Sequence, residues 1–301
     1  MADPIQGLIA ATYTPLNSDG SINLDVIEGY VDQLLESGVT GLFVCGTTGE
    51  GMSLTTDERK ALSAEFVKVS MGRCPVIVHV GHNSLFEAAN LAAHAQSIGA
   101  NATSATCPSY FKVDTAPALA DCMQQVAASA AGIPFYYYHI PPLTGSTVDM
   151  RAFLDAAGDK IANLAGIKFS SPLLHQFRDL QQYNPERYQV FWGVDEMLLG
   201  ALTFGATGAV GSTYNVIAPV YVKLKECLDA GDLDGARQWQ DRAVQFVRTV
   251  AQVPFHPAMK EILGMQGNLF GPCRLPLPEL TLEELERLRG GLNEIGFFEW
   301  S

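Results

Sequence analysis

Basic residues are scarce in this chain: 19 lysines and arginines stand against 32 aspartates and glutamates, a formal charge of −13. Nucleic-acid backbones are held by clustered cations. No such cluster occurs here, so nucleic acid is not an expected partner. No apolar run approaches the roughly 20 residues a membrane-spanning helix needs, so no membrane association is expected. Met1 to Gln6 lacks the basic and then apolar stretches of a secretory leader. The cysteines, Cys45, Cys74, Cys107, Cys122, Cys227 and Cys273, show no C-x-x-C pair. Neither a disulfide framework nor a cysteine metal site is therefore expected, and a reducing cytoplasm fits this usage. The histidines, His79, His82, His94, His139, His175 and His256, show no paired spacing, whereas a catalytic zinc usually takes three protein ligands. They read as structural or surface groups, with a supporting place for His139 beside Tyr138 left open. Low-complexity segments, long linkers and short-period repeats are also missing.

What is present is a regular alternation of strand and helix signals in a chain of 301 residues, 48% of them apolar. Strand-like runs fall at Gly7–Pro15, Gly41–Cys45, Val76–Val80, Ala102–Cys107, Ile133–Pro141, Leu164–Ser171, Tyr188–Trp192 and Gly208–Gly211. Helical periodicity fills the intervals, and Thr55-Thr56-Asp57-Glu58 has the form of a capping box that opens the second helix. Eight strictly alternating pairs imply parallel strands closed into a (β/α)8, or TIM, barrel. The division expected is a barrel over residues 1–231 and a helical segment over 232–301 packed against it.

The chemistry centres on Leu164-Ala165-Gly166-Ile167-Lys168-Phe169-Ser170-Ser171. Period-two alternation turns Gly166, Lys168 and Ser170 to one face, and Ala165, Ile167 and Phe169 to the other. Burial disfavours the charged form of an amine, and a neutral amine is a nucleophile toward a ketone, so one reading of Lys168 is a Schiff-base lysine. The other is a strand-end lysine whose head reaches solvent. A second run, Phe135 to Ile140, puts Tyr136, Tyr138 and Ile140 on one face. In a parallel sheet Tyr138 then stands beside Lys168 as a proton shuttle, unless it only fills the core. Barrel active sites lie at the C-terminal ends of the strands. That rim collects Thr47, Thr48, Tyr138, Lys168, Ser170, Asp195, Glu196, Ser212 and Thr213. The turn Gly46-Thr47-Thr48-Gly49-Glu50 offers backbone N–H groups and hydroxyls to a carboxylate, but lacks the lysine and spacing of a phosphate-binding loop.

Five motifs in order carry a resemblance: Gly46 to Glu50, Tyr138-His139-Ile140-Pro141 with Thr144-Gly145, Gly166-Ile167-Lys168, Gly193-Val194-Asp195-Glu196, and Gly211-Ser212-Thr213-Tyr214-Asn215. Over about Gly7 to Pro276 the chain resembles the dihydrodipicolinate synthase and N-acetylneuraminate lyase superfamily, and its tyrosine strand and Phe204–Asn215 run are most similar to the lyase branch. Synthases carry an arginine where this chain has Leu143, and losing a bidentate carboxylate clamp is not a conservative change. The resemblance implies a class I aldolase cleaving N-acetylneuraminate to N-acetylmannosamine and pyruvate. Lys168 forms the imine, Tyr138 moves the proton, Thr47 and Thr48 hold the carboxylate, and Ser170, Gly193, Asp195, Glu196 and Ser212 bind the sugar tail. No metal or organic cofactor is implied, and a homotetramer is. Tyr110 matches a tyrosine that reaches a neighbouring subunit's site, with Phe111 adjacent, while Phe255 and His256 fall at the pocket mouth. Two other readings stand: an aldolase or dehydratase of the same superfamily for a shorter 2-keto-3-deoxy acid, and a non-catalytic sugar-acid binding barrel.

Overall fold

The computed structural model describes residues 5–300. The leader reading rests in part on residues 1–4, which lie outside that range. Eight parallel strands pair in sequence order and close on themselves. They are β1 (Gly7–Ala11), β2 (Gly41–Val44), β3 (Val76–His79), β4 (Ala102–Ala105), β5 (Phe135–His139), β6 (Leu164–Phe169), β7 (Gln189–Trp192) and β8 (Gly208–Gly211). The helices between them are α1 (Ile27–Glu36), α2 (Thr56–Ser70), α3 (Leu85–Ser97), α4 (Ala116–Ala127), the single turn α5 (Pro141–Thr144), α6 (Met150–Ala157), α7 (Leu174–Gln182) and α8 (Leu198–Thr203). After β8 follow α9 (Tyr214–Asp229), α10 (Leu233–Val250), α11 (Phe255–Met265) and α12 (Leu282–Glu294). Among the described residues no helix is long and apolar enough to cross a membrane.

Two separate apolar clusters show how strand alternation builds the molecule. The smaller lies inside the barrel and contains Ile9, Ala11, Phe43, Ile77, Tyr136, Tyr138, Phe191 and Val210. The larger lies between strands and helices and takes the opposite face of the same strands, including Val44, Val78, Tyr137, Ile167, Phe169 and Trp192. Trp192 is fully buried there and donates its indole N–H to the Val194 carbonyl at 2.5 Å. Burying a side chain of that size contributes on the order of 3 kcal/mol.

The apolar signals overran the strands at their C-terminal ends: β1 stops at Ala11, not Pro15, and β4 at Ala105, not Cys107. The extra residues are buried all the same, Tyr13 at 1% exposure and Cys107 at 3%, because loops and the last helices cover the rim. The first helix begins at Ile27, and ahead of it Ile22 makes an isolated antiparallel bridge with Leu16. The capping box at Thr55 is present with both of its reciprocal hydrogen bonds.

One departure matters for the site. Phe135 pairs with Leu164 but Tyr136 pairs with Gly166, so Ala165 is an extra residue, a β-bulge in β6. The bulge reverses the alternation: Ala165 packs with the barrel-interior cluster, not with Ile167 and Phe169 as simple period two requires. Gly166 sits at φ +155, and a Cβ there would fall 1.7 Å from the Gln189 carbonyl oxygen, so only glycine fits.

Candidate active site

Beyond the bulge β5 and β6 run in register, with Tyr138 opposite Lys168 and Lys168 in turn opposite Phe191 of β7. Lys168 points into the barrel and is 4% exposed. Its Nζ lies 3.5 Å from the Tyr138 ring centroid and 4.8 Å from that of Phe43. Among the described residues no carboxylate forms an ion pair with it. This removes the strand-end alternative, in which the amine would reach solvent. Burial, the largest single influence, pushes the Tyr138 phenol up, but the Lys168 ammonium beside it and the polar Thr47 and Ser170 side chains together outweigh it, so its pKa lies below the ordinary tyrosine value. A phenol so placed gives up its proton more readily than a free tyrosine, and its phenolate can then serve as a base.

The loop after β2 forms the next wall. Gly51 N–H donates to the Gly46 carbonyl at 3.0 Å and Glu50 N–H to that of Thr47 at 3.1 Å, closing a tight turn. The Thr14 hydroxyl ties the turn to the loop after β1 by donating to the Gly49 carbonyl at 2.5 Å. Cys45 and Glu50 flank it with φ of 60° and 54°, left-handed values that non-glycine residues adopt at a cost. Thr48 is buried and Thr47 exposed. The amides of both donate no hydrogen bond among the described residues, which leaves them for an anion.

The remaining rim residues gather from β6, β7 and β8. Gly193 lies against Ser170, where a Cβ would fall 2.1 Å from the Ser170 Oγ, and that buried hydroxyl makes no hydrogen bond among the described residues. Asp195 is buried and accepts hydrogen bonds from Thr213 N–H at 2.8 Å and from the Thr213 hydroxyl at 2.7 Å. Burial raises its pKa, an effect the two Thr213 bonds oppose. Glu196 is exposed and Ser212 half-buried. Tyr110 and Phe111 stand out from the loop after β4, 80% and 82% exposed, their rings edge to face at 5.1 Å.

Two histidines exchange the places expected of them. His139 does not stand beside Tyr138: it faces the helix layer, stacks on Phe169 at 5.2 Å, and burial lowers its pKa to about 4. The histidine next to Tyr138 is His79, edge to face at 5.8 Å, buried, with its pKa held well below the usual value first by burial and then by Arg59 and Lys168. Alternation along Ile77-Val78-His79 contained this signal, since Ile77 lines the interior. Arg59, 1% exposed, holds the end of β3 by donating to the His79 and Gly81 carbonyls at 2.7 and 2.9 Å.

A closed eight-stranded parallel barrel with a buried lysine and a tyrosine at its C-terminal rim defines the class. The model of the dihydrodipicolinate synthetase family matches residues 4–295, and the chain belongs to that family. It is 45% identical over 278 residues to an N-acetylneuraminate lyase of Xenopus tropicalis, covering 91% of this chain and 90% of the relative. Among solved structures it is similar to the N-acetylneuraminate lyase of Proteus mirabilis, at a TM-score of 0.94 and 37% identity, covering 97% of this chain and 99% of the other. A Ruminococcus gnavus sialic acid aldolase described as a catalytic lysine mutant matches at a TM-score of 0.91 and 29% identity, covering 97% and 96%.

Proposed function

We propose that the chain is an N-acetylneuraminate lyase, a class I aldolase that cleaves N-acetylneuraminate to N-acetylmannosamine and pyruvate and runs reversibly. The observation that carries this is the buried Lys168 amine, without an ion-pair partner among the described residues, against the Tyr138 ring. Lys168 in its neutral form adds to the C2 ketone of the open-chain sugar, and the Tyr138 phenol gives its proton to the departing hydroxyl, so that water leaves and an iminium and the Tyr138 phenolate remain. Tyr138 as phenolate takes the C4 hydroxyl proton. The C3–C4 bond breaks, its electron pair passes into the iminium as an enamine, and N-acetylmannosamine leaves as the aldehyde. Protonation of the enamine at C3 and hydrolysis release pyruvate and restore the amine. The lysine is itself the electron sink, so the route uses no organic cofactor and no metal.

The amides and hydroxyls of Thr47 and Thr48 hold the C1 carboxylate in this reading. Ser170, whose hydroxyl makes no hydrogen bond among the described residues, joins Gly193, Asp195, Glu196 and Ser212 along the hydroxyl-bearing tail. Leu143, where synthases carry arginine, offers no second carboxylate clamp. We also assign a homotetramer in the cytoplasm: the exposed aromatic pair Tyr110 and Phe111, with Phe86 at 80% exposure, is apolar surface suited to a subunit contact.

The test is pyruvate release from N-acetylneuraminate, with 2-keto-3-deoxygluconate and 4-hydroxy-2-oxoglutarate run in parallel. Preferred cleavage of N-acetylneuraminate is expected. Cleavage of the shorter acids alone would transfer the chain to another pyruvate aldolase of the family. Borohydride with pyruvate should add mass at Lys168, and Lys168→Ala should lose turnover by at least about three orders of magnitude with its melting temperature preserved. Near-wild-type activity in that variant would remove Lys168 from the mechanism.

A further inference from the structure

Glu50 and Lys260 form an ion pair at 2.6 Å with side chains 1% and 3% exposed. Among the described residues no other ion pair has a partner less than 21% exposed. Burying two opposite charges costs about as much as their attraction returns, and an apolar pair of the same shape commonly serves stability as well. Stability alone therefore does not account for these two charges.

Their position does. Glu50 closes the turn whose amides at Thr47 and Thr48 meet the substrate carboxylate, and it stands there in a left-handed conformation. Its second carboxylate oxygen accepts the Arg274 backbone N–H at 2.7 Å, while Lys260 also donates to the Pro272 carbonyl at 3.0 Å. On the same face of α11, one turn before Lys260, His256 brings its Nε2 to 3.4 Å from the Thr47 carbonyl oxygen. One helix of the C-terminal segment thus touches the turn at both Thr47 and Glu50.

We infer that Glu50 and Lys260 are positioning residues: their buried pair fixes the angle at which the Thr47 and Thr48 amides grip the C1 carboxylate. The inference rests on the lyase reading above. A side chain that only aims a binding group changes substrate affinity more than the rate of the bound complex.

The variants are Glu50→Gln, Lys260→Met and the double Glu50→Gln/Lys260→Met. Each single change strands one buried charge and should lower the melting temperature; the double removes both charges and should regain most of it. The expected signature is that the double variant, though stable, keeps a KM for N-acetylneuraminate raised about tenfold with kcat within about threefold of wild type. The pyruvate concentration that half-saturates borohydride trapping at Lys168 should rise by a similar factor. A stable double variant with both half-saturation values within about twofold of wild type would make the pair merely structural and overturn the inference. If the neutral variants do not fold, Glu50→Asp retains the charge and draws the carboxylate back by one methylene; an unchanged half-saturation there overturns it equally. Wild-type protein that takes up no pyruvate mass at all would be a failure of the imine reading, recognisable before any variant is made.

Discussion

Lys168 is an amine set among aromatic rings, and the imine-forming role proposed for it turns on those surroundings. A carboxylate within hydrogen-bond reach would hold the amine as an ammonium and suppress its nucleophilicity. Among the described residues no carboxylate pairs with Lys168, and the rings of Phe43 and Tyr138 lie 4.8 and 3.5 Å from its Nζ instead. The histidines make a separate, measurable contribution to the pH response. His139 has a folded pKa of about 4 against 6.5 for an ordinary histidine, so the unfolded chain binds the proton first. Its contribution to stability is intact above pH 6.5 and is lost as pH falls toward 4, by about 3 kcal/mol at the lower end. His79 is shifted in the same direction and adds to the slope. His139→Phe, which keeps a ring against Phe169, should flatten the fall in melting temperature between pH 6.5 and 4; an unaltered profile would assign that fall to other groups.

At the scale of elements, β6 shows where sequence reasoning stops. The run from Leu164 to Phe169, its lysine and its tyrosine neighbour could all be read from residue types, because an apolar strand with one ionisable group is a local pattern. The bulge at Ala165 could not, since it exists only in the pairing of β6 with β5. The capping box at Thr55 was legible for the opposite reason: both hydrogen bonds join residues three apart. Gly166→Ala would drive a Cβ into the Gln189 carbonyl, and a loss of several kcal/mol in urea unfolding, or failure to fold, is expected. Gly290 within α12 has nothing within 4 Å of its built Cβ, so Gly290→Ala should gain about 1 kcal/mol. If the two changes cost the same, the close approach at β6 is not what demands glycine there.

For the whole molecule, eight alternating pairs made the barrel readable, since parallel closure follows from the order of the elements. What the last helices do was not readable, because their contacts to the rim span most of the chain. Arg274 fastens this segment to the start of α2 through Glu58, whose pKa its guanidinium holds down at about 2, and through the Ser53 and Gly20 carbonyls. The rings of Phe246 and Phe297 stack at 5.5 Å between α10 and the C-terminal turn. The segment after residue 231 is therefore tied to the barrel's loops and to itself by these contacts. By light scattering the full chain should have a mass near four times 32.4 kDa. A chain ended at Gly231 should neither assemble to a discrete species nor trap pyruvate; a well-folded shortened barrel that traps it would make the segment an accessory.

The reach from Glu50 to the backbone of Arg274, 224 residues along the chain, bears on the order in which a ribosome makes this protein. The carboxylate turn leaves among the first fifty residues, and the tyrosine and lysine follow by residue 168. The side chain of Lys260 and the backbone of Arg274, which pin the turn, emerge more than 200 residues after it. A growing chain thus holds the turn, Tyr138 and Lys168 long before the ion pair and the backbone hydrogen bond on Glu50 can close.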